Sequence, residues 1–182
     1  MSHTTNRATN EATVGELRAK SDAARERLGR QLQGMEAHLE RTHADGQWTT
    51  REVLCHLLGE PGADFVALLA CFSAADPPLV EIVPGQVTVT AERRRMTLAG
   101  LLAALDAQRA AVLGYLETLP PEDFGRAARI PLFAPILGTE VVTLPVFVGA
   151  MFGMHWDAHA DQIGQIRQAV GLTEAEYTSP AR

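Results

Sequence analysis

Cysteine is scarce in these 182 residues: there are two, Cys55 and Cys71, both inside apolar helical text. Two thiols in a chain of this length exclude a disulfide scaffold and point to a reducing, cytoplasmic setting. Positive charge is not in excess either. The net charge is −6, and the one basic cluster, Arg93-Arg94-Arg95, has no aromatic partners. That combination excludes an ordinary nucleic-acid binder and leaves the three arginines as a solvated loop or helix start. A long uninterrupted hydrophobic run is missing as well. The richest stretch, residues 130–154, is broken by Glu140 and by Pro131, Pro135 and Pro145. A membrane span needs about 20 continuous apolar residues, so a loop followed by a buried helix is expected here instead. Such a run can wall a pocket or cover a dimer interface, and a homodimer interface is slightly favoured. The opening residues carry no apolar leader, so a signal peptide is not expected. Repeats and low-complexity tracts are absent too.

What the chain does have is apolar periodicity, in a sequence 46% hydrophobic and long enough for one domain. Residues 13–42 place Val14, Leu17, Ala24, Leu28, Leu32, Met35 and Leu39 on one helical stripe. Thr49 and Glu52 then form a T-x-x-E capping box, predicting a second helix that carries Val53, Leu54, His56 and Leu57, with Pro61 as a kink. Residues 76–95 read as a connection with a short extended piece at 86–90. Thr97 opens a third helix, which Pro120 and Pro121 close. A second long connection leads to a fourth helix from about Thr143 to Val170, with Pro145 in its first turn and Gly171 as its cap. The expected architecture is an all-α four-helix bundle with long connections, over residues 13–172, between a disordered tail at 1–12 and another at 173–182.

The chemistry-bearing pattern is "MHWDAHADQI". His155 and His159 are four apart, one turn above the other, on the stripe formed by Val148, Phe152, Ile163 and Ile166. His56 holds a core-facing position on the second helix, which can face the fourth in a bundle. Three neutral imidazoles suit a divalent ion such as zinc or nickel, and three protein ligands leave a coordination position open for a water nucleophile or a substrate. The alternative is a set of hydrogen-bonded core or half-exposed histidines, since H-x-x-x-H recurs by chance and Trp156 replaces the glutamate of H-E-x-x-H. Gln162, Glu60 and Glu52 are the candidates for assisting groups. Gln162 lies one turn from His159 and Glu60 one turn from His56, while the capping box already accounts for Glu52. Asp157 and Asp161 read as surface acids, and Cys55 points about 100° away from His56 around the helix. Trp48 reads as packing at the helix start, Trp156 as lining a pocket or a dimer interface, and His3, His38 and His43 as exposed.

"WTTREVLCHLL" together with "HWDAHADQI" resembles the DinB/YfiT-like superfamily of metal-dependent four-helix-bundle proteins. Trp48, Thr49, His56, His155, His159, Gln162 and Ile163 match its pattern in order and separation. Ala158, where many members carry another histidine, and the Pro61-Gly62 interruption depart from it. The resemblance implies a three-histidine metal site and, often, a homodimer. It also implies either a metal-dependent hydrolase or a transferase that uses a low-molecular-weight thiol, acting on a small molecule. The alternative is a non-enzymatic dimeric binding or stress-response module whose metal site is structural or vestigial.

Overall fold

The structure is a computed structural model that describes residues 2–173, with side chains from residue 10 onward. Of the tail expected at 173–182, residues 174–182 lie outside the described residues, as does the His3 side chain. Helix α1 spans Ser2–Leu32, so its first turns occupy the stretch 1–12 that the sequence pattern set aside as a tail. It also ends ten residues before the expected limit. Gly34 takes a φ of 76° that an L side chain resists, and the chain turns there. Met35 and Leu39 stay buried all the same. The connection folds onto the start of α2 (Thr50–Leu57), where the Arg41 and Leu39 carbonyls accept the N–H groups of Thr50 and Arg51. That folding leaves His38 and His43 half-buried rather than exposed.

Helix α2 stops at Leu57 because Gly59 is left-handed at φ 73°, so the break precedes Pro61 instead of being a kink at it. Helix α3 (Phe65–Ala70) follows, capped by Asp64, and then α4 (Ala91–Arg95) and the long α5 (Leu98–Thr118), capped by Thr97 as the sequence predicts. Residues 86–90 form no strand. The strands lie in the second connection. β1 (Ala127–Arg129) pairs antiparallel with β2 (Val141–Thr143), Ala128 opposite Val142. The loop between them carries α6 (Ala134–Leu137), ended by Gly138 at φ 73°.

The last helical run has three parts. α7 (Leu144–Gly149) has Pro145 in its first turn, a π-helical segment covers Ala150–Met154, and α8 covers His155–Ala169. α8 ends in a Schellman motif: Leu172 N–H bonds the Arg167 carbonyl and Gly171 N–H, at φ 80°, bonds that of Gln168. The four bundle elements are α1, α2 with α3, α5, and α7 through α8. α8 packs on both α1 and α2, and α5 likewise packs on both. Leu28, Leu32, Leu54, Leu101, Leu105, Leu113, Phe147, Trp156, Ile163 and Ile166 form the fully buried centre. Trp156, 1% exposed, thus belongs to the core, 5.6 Å from the Phe152 ring. Among the described residues no helix is long and apolar enough to cross a membrane.

Candidate metal centre

Local sequence sets the first candidate ligand. The Glu52 amide donates to Thr49 Oγ1 at 3.2 Å, and the Thr49 amide donates to Glu52 Oε2 at 2.7 Å. This reciprocal cap fixes where α2 begins and therefore which face His56 occupies. Glu52 is consumed by that role and does not reach the cavity beside the histidines. The π segment is the corresponding device on the other side. Its wider turn accommodates an extra residue immediately before His155, so it sets the rotation of α8 relative to α7.

The three histidines meet. His155 Nε2 lies 3.0 Å from His56 Nε2 and 3.0 Å from His159 Nε2, and one ligand atom from each falls within 4.8 Å of the others. The far nitrogens of two rings are engaged. His56 Nδ1 donates to the Gln86 carbonyl at 2.7 Å, and His159 Nδ1 donates to Gln162 Oε1 at 2.8 Å. In a neutral imidazole that assigns the proton to Nδ1 and leaves the Nε2 lone pair free. His155 Nε2 carries at most one proton to share between those two lone pairs, so at least one N···N contact is left unsatisfied. A cation relieves it. With metal–nitrogen distances of about 2.0–2.1 Å, neighbouring nitrogens sit about 2.9 Å apart at right angles and about 3.4 Å apart in a tetrahedron. The observed separations fit that range.

The electrostatics agree. Burial, with smaller contributions from His159 and His56, pushes the His155 pKa from 6.5 down to about 3. Burial also lowers His159, against the opposing hydrogen bond from Gln162. His155 and His159 therefore present neutral, metal-ready imidazoles at ordinary pH. The Trp48 ring lies 4.7 Å from His56 and stacks on His159 at 6.0 Å. It walls the cluster as well as packing the helix start.

Next to the histidines is a cavity of about 750 Å³. Glu60 lines it, with Oε2 accepting from the Thr88 hydroxyl at 2.7 Å. The apolar stretch 130–154 supplies much of the wall through Leu132, Phe133, Ile136, Phe147 and Met151. That stretch therefore supplies a pocket wall, one of the two uses its sequence allows. Loop 81–87 closes another side, and the Pro84-Gly85 turn, with Gly85 at φ 74°, delivers the Gln86 carbonyl to His56. A backbone acceptor 30 residues from its partner leaves no trace in a side-chain pattern. The paired glycines of "VGAMFGM" are the only local hint of the π segment.

The remaining candidates fall outside the cluster. Cys55 is buried and its thiol pKa is raised by desolvation, which makes it a poor nucleophile. Arg93 is half-buried and donates to the Gly59 carbonyl at 2.7 Å and to the Cys55 carbonyl at 3.2 Å. It ties down the end of α2 rather than standing in solvent with Arg94 and Arg95. Asp157 and Asp161 pair with Arg27 of α1, as surface acids would.

A family model described as the DinB superfamily matches residues 3–163. Among solved structures, YfiT from Bacillus subtilis, described as "a probable metal-dependent hydrolase with an unusual four-helix bundle topology", is similar with a TM-score of 0.60 at 20% identity. The alignment covers 86% of this chain and 89% of that one, and at this identity the likeness carries the fold. No curated protein matches the chain.

Proposed function

We propose, for a chain that belongs to the DinB superfamily, a metal-dependent hydrolase that holds one divalent ion on Nε2 of His56, His155 and His159. Zinc and nickel both suit three imidazoles. The observation that carries the reading is the convergence of three Nε2 atoms, two of them with tautomers fixed from behind, at the edge of a cavity large enough for a small molecule. An ion bound there supplies Lewis-acid chemistry to water or to a substrate carbonyl. The protein's own part is positional. Gln86 and Gln162 hold two ligand rings in the binding tautomer, Trp48 and the apolar walls limit water, and Glu60, held by the Thr88 hydroxyl, places a carboxylate on the cavity lining. Hydrolysis is favoured over thiol transfer because, among the described residues, no lysine or arginine lines the cavity to receive the carboxylates of an anionic thiol.

The test is metal content by mass spectrometry on untagged protein, comparing the native chain with His56→Ala and His155→Ala. About one equivalent of a divalent ion in the native protein, lost in both variants, is the expected result. A native protein that takes up no divalent ion even after reconstitution would overturn the reading and favour the non-enzymatic binding module.

A further inference from the structure

One wall of the cavity is a single stretch of irregular chain, because Glu81, Ile82, Val83, Pro84, Gly85 and Gln86 all line it. Its two ends are well fastened. Before it, the Val80 amide donates to the Arg129 carbonyl and the Arg129 amide to the Pro78 carbonyl, both at 2.8 Å, which ties it to β1. After it, the Thr88 hydroxyl donates to Glu60 Oε2 at 2.7 Å, and Arg93 of α4 donates to the Thr88 carbonyl at 3.2 Å. The middle is held differently. Ile82 and Val87 are half-buried against the core, while residues 83–86 are exposed. Among the described residues, one hydrogen bond joins this middle to the rest of the molecule: His56 Nδ1 donates to the Gln86 carbonyl at 2.7 Å. A segment pinned at both ends and tied once between them can lift without unfolding its anchors.

That single tie ends on the reverse side of a candidate metal ligand. Coordination through His56 Nε2 requires the ring proton on Nδ1, and this is the proton that the Gln86 carbonyl accepts. The other tautomer turns a nitrogen lone pair toward the carbonyl oxygen and disfavours the contact. The closed segment and a bound ion thus select the same form of His56.

We propose that residues 81–87 are a strap whose closure is coupled to metal loading through the His56–Gln86 hydrogen bond, so that binding the ion also completes the wall of the cavity. The inference rests on the three-histidine metal site of the proposed function and on no particular reaction. Coupling of this kind is reciprocal. An acceptor behind a ligand ring is typically worth about 10–100-fold in metal affinity, so the ion should shift the ratio of closed to open strap by the same factor.

Two measurements on the full chain test this. A nitroxide on Val83→Cys, in a Cys71→Ser background where the remaining Cys55 is buried, reports strap motion by its spin-resonance spectrum. Zinc is diamagnetic, so it alters that spectrum only through the protein. Its addition is expected to reduce the ratio of mobile to immobile signal by about 10–100-fold. The second measurement is zinc affinity in Gly85→Pro, by competition with a chelating dye. Gly85 stands at φ 74°, which a proline ring cannot adopt, and no atom lies within 4 Å of its Cβ position, so the lesion is confined to the turn that carries Gln86. Affinity should fall by about 10–100-fold with the circular dichroism unchanged. The label needs no lesion in the turn and decides the matter even where Gly85→Pro fails to fold. Zinc uptake with an unchanged spectrum, or native affinity in Gly85→Pro, overturns the strap and leaves the metal site standing. Zinc-linked closure in a protein that hydrolyses nothing sinks the hydrolase reading alone. A native chain that takes up no zinc sinks both.

Discussion

Helix α8 has two unlike sides. Toward α1 it sets Asp157 and Asp161 against Arg27, in pairs whose acids are 46% and 61% exposed. Toward α2 it sets His155 and His159 against His56, with His155 Nε2 3.0 Å from the Nε2 atoms of both other rings and the charged forms of His155 and His159 disfavoured by burial. Both sides place polar groups opposite one another across a helix pair, yet the physics differs. An ion pair in water is screened and contributes roughly 0–1 kcal/mol, so its members can be exchanged with little effect. Three half-buried imidazoles beside a mostly apolar cavity are screened less, so each depends more on its partners. The α1 side is joinery, repeated in Arg25–Asp106 and Arg109–Asp22 between α1 and α5. The α2 side is the candidate metal site.

Acid should separate the two sides most strongly. In the metal-free protein His155 has a pKa near 3, against 6.5 without the fold. As pH falls below about 6.5, the unfolded chain takes up a proton that the folded chain refuses, so protonation favours unfolding. The urea midpoint of the metal-free protein is expected to drop steadily from pH 6.5 toward pH 3. The double variant His155→Ala/His159→Ala should show a flatter profile across the upper part of that range. Equal slopes for the two proteins would mean that burial does not suppress these charges.

A subtler lesion tests whether the ligands act alone. Gln162→Leu removes the acceptor that holds His159 Nδ1 without touching an Nε2 atom. Groups that orient a ligand ring typically change metal affinity by about 10–100-fold. A weakening in that range is expected by competition with a chelating dye, with the helical circular dichroism unchanged. Unaltered affinity would reduce Gln162 to an ordinary helix amide.

The smallest effect belongs to the other face. Arg27→Ala removes both pairs to α8 and is expected to lower stability by under about 1 kcal/mol in urea melts, with metal stoichiometry intact. Loss of metal in this variant would erase the distinction between the two faces.

Much of this was legible in the chain wherever the determinant was local. The capping box at Thr49 and Glu52, the Thr97 cap, Pro145 in a first turn and Gly171 past a helix end each act within one turn of chain. All appear where the sequence places them. Apolar spacing likewise marked the buried stripe of α8. What escaped notice was set by neighbours distant in sequence. The hairpin of β1 and β2 was read as plain connection because each strand is three residues long and depends on pairing with the other and with the 73–80 segment. Trp156 went to the core because Phe152 packs against it there.

The sequence by itself determined the helices, their caps and the identity of the three imidazoles, because side-chain chemistry and helical period are written residue by residue. Only the tertiary structure decided that those imidazoles meet, which nitrogen of His56 is free, and that a largely apolar cavity opens beside them. Those outcomes depend on the rotation of α8 through the π segment, on a carbonyl delivered by the Pro84-Gly85 turn and on walls from four separate stretches of chain. Long-range packing brings such groups together, and a single stretch of sequence carries no record of its distant neighbours.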